Sequence, residues 1–273
     1  MSEQHETYPN LVEAIILVVI LMLVEMIVAA GLRAGDFLTD VDWLGTAGVI
    51  TVVGNGVLFI GLMAYKHIGY RDLFHPTRNS VAATLALVTV PILLLVPGLL
   101  MVASAINAIV IFLFPMSPDE QELLQDMVSG GALGILFGCI AAPVLEEMLF
   151  RGVILRSFLK QYSRTKAILL SSVIFAVAHM NLYQFATALA IGILSGWLYE
   201  RCRSLWPCIL LHASYNSFVT WLAQEVSSSP ALEDSSTFIG AAFLAAIAGG
   251  LTLLRLLHGA KRMADDRIDT NRE

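Results

Sequence analysis

Residues 132–160 read ALGILFGCIAAPVLEEMLFRGVILRSFLK, a stretch that is mostly apolar yet carries two adjacent carboxylates and two arginines. A helix that crosses a bilayer needs about 20 mostly apolar residues, and this stretch exceeds that length. It therefore predicts a membrane-spanning helix with charged groups inside it. An ionisable residue inside a span costs about 2.5–3.5 kcal/mol on insertion scales, so such a residue usually has a function or a partner.

The composition of the whole chain agrees with this prediction. Of its 273 residues, 57% are hydrophobic and 14% are charged, whereas a soluble globular domain carries about 25% charged residues. An ordinary soluble enzyme or binding module is excluded. We expect a multi-pass integral membrane protein, in the plasma (inner) membrane if the source is prokaryotic. The formal net charge of −6 gives no basic surplus, so we expect membrane lipid as a partner and no nucleic acid.

Eight stretches are apolar enough to predict membrane-crossing helices. The prediction is therefore an all-α polytopic fold in a single membrane domain, residues 1–273. The stretches are residues 11–31, 45–65, 81–114, 132–160, 167–182, 184–200, 205–223 and 237–257. The third contains Pro91 and Pro97 and is too long for one straight span, so we expect a kinked or tilted helix there.

The basic residues predict the orientation of these helices. Among the 16 Lys and Arg residues, all but Arg33 fall on one side when the chain is threaded through eight spans with its N-terminus inside. Because basic residues concentrate on the cytoplasmic side of membrane proteins, both termini are expected to be cytoplasmic. The opposite side receives acidic loops, including a candidate short surface helix at 119–126.

Polar residues inside the spans form three short clusters in the C-terminal half. They are Glu146-Glu147-x-x-x-Arg151, Phe175-x-x-x-His179 and His212-x-x-x-Asn216. Because residues four apart share a helix face, Arg151 is expected to neutralise Glu147. Glu146 is offset by about 100° from Glu147 and stays free to act.

The three clusters can share one level of the bilayer only under a condition on the fourth helix. With a rise of about 1.5 Å per residue, Glu146 lies ~21 Å above Lys160 and His179 lies ~20 Å above Lys166. The fourth helix must therefore run down to Lys160, with Arg151 and Arg156 covered by protein or reaching water. A water-filled cavity open to the cytoplasm is the other way to meet the condition.

The residue types in these clusters indicate hydrolysis of an amide or ester bond. A carboxylate beside imidazoles can act as a general base on water, and an imidazole with an amide suits an oxyanion hole. Glu146, His179, His212 and Asn216 provide these groups. Glu146, His179 and His212 also match a catalytic zinc set, which stays open as an alternative. Cys208 is a further candidate nucleophile, although a small Cys in a packed span is more often structural.

Two polar residues of the N-terminal spans are expected to be structural. Glu25 in the first span is interpreted as a snorkelling or capped carboxylate near a helix end. Asn55 lies between Gly54 and Gly56, a pattern that favours close helix packing.

The three motifs in this order resemble those of the type II CAAX prenyl endopeptidase and bacteriocin-processing (Abi) family. Phe185, Gly192, Gly196 and the Trp206-Pro207 lead-in also fit its pattern. The resemblance covers about residues 130–220, and the N-terminal helices within 11–114 carry no matching motif. It implies an eight-helix intramembrane protease that needs no metal or other cofactor and whose cavity opens to the cytoplasm.

The resemblance also implies a role for each motif residue. Glu146 and His179 would activate water, and His212 and Asn216 would stabilise the oxyanion. Glu147 and Arg151 would support the site, within a catalytic core of about residues 130–223. The substrate would be a protein or peptide, prenylated or not, that is cleaved near its C-terminus.

Three alternatives stay open from the sequence. Some prokaryotic relatives are self-immunity proteins, scaffolds or regulators without known proteolysis. A zinc-dependent protease would use the three ligands named above. A transporter would predict inverted repeats with broken helices at matched positions, and the sequence has no visible repeat.

Overall fold

The computed structural model describes residues 7–37, 41, 43–66, 69–77, 79–129, 131–228 and 236–270. Within these residues all regular secondary structure is helical and no strand is present, so the predicted all-α fold is confirmed for them. The ends of the chain, 1–6 and 271–273, lie outside the described residues. The cytoplasmic position of both termini therefore stays a prediction.

The described residues form ten helices, counting the continuous helical run at 132–161 as one. They are α1 Leu11–Ala34, α2 Trp43–Lys66, α3 Tyr70–Phe74, α4 Val81–Leu113, α5 Pro118–Ser129, α6 Ala132–Gln161, α7 Arg164–Ala178, α8 Leu182–Cys202, α9 Trp206–Ser228 and α10 Ser236–Thr270. All of them except α3 and α5 correspond to the eight predicted stretches. The short helix α5 contains the acidic loop segment, as the sequence indicates.

Six of these helices, among the described residues, are long and apolar enough to cross a membrane: α1, α2, α4, α6, α8 and α10. The predicted number of eight spans is therefore supported for six. Helix α7 has 15 residues, fewer than the about 20 that a span needs. Helix α9 is long enough, but it carries polar residues, including His212 and Asn216. Both helices are flanked by the more apolar ones, because α7 packs on α8 and α9 packs on α4.

Local sequence explains where several of these helices begin. At α1, the Asn10 side chain accepts a bond from the Glu13 N–H and the Glu13 carboxylate accepts one from the Asn10 N–H, a reciprocal cap. Ser80 caps α4 and Asn181 caps α8 through their side-chain oxygens. Helix α4 continues through Pro91 and Pro97 as one element, which matches the prediction of a single long helix.

The packed core surrounds the second half of α6. Leu149, Ile154 and Leu155 are fully buried there, whereas Phe112 at the end of α4 is 83% exposed. Many large apolar side chains on α1, α2, α4 and α10 are exposed in the same way. Because lipid replaces water around a membrane protein, exposed apolar side chains on the outer helices are expected.

Candidate active site

Helix α6 carries the first motif, and its helical turns are wider than α-helical turns on both sides of the glutamates. Two π-helical segments, Phe137–Ala141 and Met148–Leu155, flank the α-helical turn Ala142–Glu147. Pro143 has no N–H, and its ring crowds the carbonyl of the preceding turn, where the first π segment lies. The helix is continuous to Gln161, and this is the length that the sequence required for the three motifs to lie at one depth in the bilayer. Such π segments occur frequently at functional sites.

Glu147 and Arg151 form a buried ion pair inside the bundle. The Arg151 Nη1 donates to Glu147 Oε1 at 2.9 Å, and the two side chains are 1% and 0% exposed. The Nη2 of Arg151 donates to the carbonyl of Gly192 on α8 at 3.2 Å. The arginine is therefore neutralised by the neighbouring carboxylate and covered by protein, as the four-residue spacing predicts.

His212 of α9 lies between the two glutamates of α6. Its Nδ1 is 3.0 Å from Glu147 Oε1, and its Nε2 is 3.8 Å from Glu146 Oε2. The same Glu147 oxygen accepts from Arg151, so the Nδ1–H of His212 donates to it and this bond orients the imidazole ring. Oε2 of both glutamates is buried without a hydrogen-bond partner among the described residues, but only Glu147 is paired with an arginine through its other oxygen. The two adjacent glutamates thus have different surroundings.

His179 follows the last residue of α7, where the helix opens into a turn. Its Nδ1 donates to the carbonyl of Phe175 at 2.9 Å. Because the carbonyl can only accept, this bond places the ring proton on Nδ1 and leaves the lone pair on Nε2. The bond therefore fixes the orientation of the His179 ring relative to the last turn of α7.

Phe175 is the side chain around which the site is packed. The rings of His179 and His212 meet it edge-on at centroid distances of 4.8 Å and 5.7 Å. The Arg151 guanidinium carbon lies over the same ring, 4.6 Å from its centroid. The sequence motif contains Phe175, but its contact with both histidines was not predicted, because it depends on how three helices pack.

Asn216 is held against the first π segment of α6. Its Nδ2 donates to the carbonyl of Gly138 at 2.9 Å. A side-chain amide carries two N–H donors, so the second is still available to a ligand.

A cavity of about 520 Å³ connects these groups. Glu146, His179, His212 and Asn216 line it, whereas Glu147 and Arg151 are not among the lining residues. The structure therefore brings together the four residues predicted to be catalytic and places the two supporting residues behind them. The resemblance implied a cavity that opens to the cytoplasm, the side on which the basic residues are expected. The cavity instead extends toward the opposite end of the bundle, to Met116 just before α5 and to Leu124 on α5.

The other chemical candidates differ in how the structure places them. Glu146, His179 and His212 share the cavity lining, but among the described residues no group of three or more His, Cys, Asp or Glu side chains is placed to hold a metal ion. Cys208 is fully buried, its thiol donates to the carbonyl of Ser195 at 3.2 Å, and it does not line the cavity.

Glu25 differs from the expectation of a snorkelling carboxylate near a helix end. It lies well inside α1, and the buried Asn55 of α2 donates to its Oε1 at 3.4 Å. The sequence signal that could have predicted this contact is one polar side chain, Glu25 or Asn55, in each of two consecutive apolar spans.

Gly192 and Gly196 allow α7 and α8 to approach closely. A Cβ on Gly192 would lie 2.9 Å from the Ser172 Cβ, and one on Gly196 would lie 3.0 Å from the Ile168 Cγ2. Small residues at helix contacts in membranes serve this purpose. The close approach also keeps the Gly192 carbonyl within reach of Arg151.

Comparison with known proteins agrees with these motifs. Residues 128–218 match the family model described as "Type II CAAX prenyl endopeptidase Rce1-like", an interval that contains all three motifs. A Bacillus subtilis (strain 168) protein named "Putative membrane peptidase YdiL" is 28% identical over 218 residues, which cover 77% of this chain and 87% of the relative. No solved structure matches. The resemblance inferred from the motifs is thus confirmed: residues 128–218 match the type II CAAX prenyl endopeptidase Rce1-like family model.

Proposed function

We propose that this protein is an intramembrane endopeptidase that hydrolyses a peptide bond with water activated by Glu146 and His179. The observation that carries the proposal is the state of Glu146. It lines a cavity shared with His179, His212 and Asn216, and its Oε2 makes no hydrogen bond among the described residues. The adjacent Glu147 is paired with Arg151 and lies outside that lining.

The proposed reaction uses Glu146 first as a base and then as an acid. A water molecule bound to Glu146 and to the Nε2 lone pair of His179 gives its proton to Glu146, and its oxygen bonds to the scissile carbonyl carbon. After the tetrahedral intermediate forms, Glu146 returns the proton to the leaving nitrogen. The C–N bond then breaks, and a carboxylic acid and an amine are released.

The negative charge on the carbonyl oxygen requires donors during this reaction. The free N–H of Asn216 supplies one, and His212 supplies the other from Nε2 when its ring is doubly protonated. The Nδ1 of His212 stays bonded to Glu147, which orients the ring. Arg151 pairs with the same Glu147 oxygen and holds that carboxylate in place.

The substrate class follows from the relatives and belongs to the proposal. One relative is named a peptidase, and the family name refers to prenylated proteins. We propose a protein or peptide substrate that is cleaved near its C-terminus, in the plasma membrane if the source is bacterial. Whether a prenyl group is required is decided by comparing two substrates in the experiment below.

The test is Glu146→Gln in the purified full-length protein. The substrates are a synthetic peptide with a prenylated cysteine near its C-terminus and the same peptide without the lipid. General acid–base catalysis contributes about 10²–10⁴-fold, so we expect the rate of hydrolysis to fall by that factor. Asp72→Asn is the control, because Asp72 is exposed on α3 and does not line the cavity.

Two outcomes contradict the proposal. Hydrolysis by Glu146→Gln at the parental rate would show that Glu146 is not the base. No hydrolysis of either peptide by the parent protein, folded and tested at high concentration, would favour the alternative of a non-proteolytic scaffold or regulator.

A further inference from the structure

The cavity occupies only one half of the helix bundle. Helix α6 lines it up to Glu146 and no further, and α7 contributes Phe175 together with the adjoining His179. Helix α8 contributes residues of its first half, as far as Ile191. Because neighbouring helices alternate in direction, these segments all lie at the same end of the bundle, the end at which α6 begins.

The opposite half of the bundle is sealed by packed apolar side chains. Leu149, Ile154, Leu155, Leu198 and Leu205 are all fully buried, and none of them lines the cavity. They lie along α6, along α8 and just before α9, and all but Leu149 lie beyond the level of Glu146 and Arg151. The cavity therefore has a closed floor on this side.

The two ends of the bundle also differ in charge. Beyond the closed floor, the ends of α6 and α8 and the starts of α7 and α9 carry the basic residues Arg156, Lys160, Arg164, Lys166, Arg201 and Arg203. The cavity end carries the exposed acidic residues Asp119, Glu120, Glu122 and Asp126, all on α5. Met116 and Leu124 of this region line the cavity, and α5 packs against α2 and α9.

We propose that the catalytic cavity opens on the non-cytoplasmic side of the membrane. The substrate is then an extracytoplasmic segment of an exported or membrane-anchored polypeptide. Basic residues concentrate on the cytoplasmic side, so the sealed end with its arginines and lysines faces the cytoplasm. The assignment of a polypeptide substrate rests on the proposed peptidase function, whereas the direction of the opening does not.

This orientation restricts which substrates reach Glu146. A volume of about 520 Å³ lies in the range of ligand pockets, about 300–1,000 Å³, so it suits a short peptide segment. A prenylated C-terminus that remains in the cytoplasm would meet the sealed, basic end. The acidic residues of α5 disfavour an acidic segment at the mouth, because like charges repel.

The test uses a charged, membrane-impermeant maleimide on cells that produce the full chain, and on inverted vesicles from the same cells. The parent carries Cys139→Ala and Cys202→Ala and keeps the fully buried Cys208. Single cysteines are introduced as Ser104→Cys in the cavity lining, Leu124→Cys at the α5 end, and Lys160→Cys at the basic end.

We expect Ser104→Cys and Leu124→Cys to be labelled in intact cells, and Lys160→Cys to be labelled only in inverted vesicles. The reverse pattern would overturn the proposal. So would labelling of Leu124→Cys from outside together with no labelling of Ser104→Cys from that side, because the cavity would then not open there. Labelling needs no catalysis, so failure here is distinguishable from failure of the Glu146→Gln experiment.

Discussion

Two adjacent residues of identical chemistry have different environments in this protein. Glu147 is bonded to Arg151 and to His212, and it is fully buried behind the cavity. Glu146 is one residue earlier and lines the cavity, and its ion-pair contact is with His212 at 3.8 Å. The rotation of about 100° per residue separates the two carboxylates, so one helix supplies both a carboxylate paired with arginine and a carboxylate that lines the cavity.

The ion pair gives a prediction at the residue scale. Arg151→Met leaves the buried Glu147 charge without its cation, so we expect the free energy of unfolding to fall by about 3–5 kcal/mol. The double variant Glu147→Leu, Arg151→Met leaves no unpaired charge and should lose less than the single variant. Chemical unfolding in detergent micelles measures both.

A surface pair on the same protein provides the control for that prediction. Arg164 lies 3.1 Å from Glu200, but its side chain is 58% exposed. Arg164→Met should therefore cost less than about 1 kcal/mol. If Arg151→Met is as mild as Arg164→Met, the buried pair does not have the structural role assigned to it.

At the scale of the element, helix α6 was predicted from length and apolar content, but its two π segments were not. Pro143 favours a local change in the helix, but whether that change is a π segment depends on how the backbone accommodates its neighbours. The first segment affects the candidate site, because its Gly138 carbonyl accepts a hydrogen bond from the Asn216 amide. Helices α7 and α9 were predicted as spans but are less apolar, since they carry the polar groups of the candidate site.

The contact between α1 and α2 gives a prediction at the element scale. A Cβ on Gly54 would lie 2.5 Å from the Glu25 Cγ, whereas a Cβ on Gly56 would meet nothing within 4 Å. Gly54→Ala should therefore destabilise the protein by about 1–3 kcal/mol through overpacking. Gly56→Ala should stay within about ±0.5 kcal/mol.

Thermal unfolding of both glycine variants in detergent checks this prediction. Equal stabilities would show that Glu25 does not pack against α2 as described. Retention of full peptidase activity in a destabilised Gly54→Ala would separate the packing of Glu25 from any effect on Glu146.

At the scale of the whole molecule, the site residues come from three helices that surround one cavity. The proposed reaction uses only side chains of this chain, without a metal. We expect that treatment of the purified protein with a chelator leaves hydrolysis unchanged, and that metal analysis finds zinc well below one equivalent per chain. Loss of activity on chelation, with recovery on adding zinc, would instead favour the zinc alternative of Glu146, His179 and His212.

Several features could be predicted from the sequence because they depend on distances along one helix. These include the helical stretches, the length of α6 and the pairing of Glu147 with Arg151. Other features depend on how each helix is rotated about its axis and which neighbour it meets, and no single-chain spacing contains that information. The tertiary structure alone decided that Phe175 contacts both histidines, that His212 lies between the glutamates, and that Glu25 pairs with Asn55. It also decided which end of the bundle is sealed, because sealing requires side chains from several helices to pack at one level.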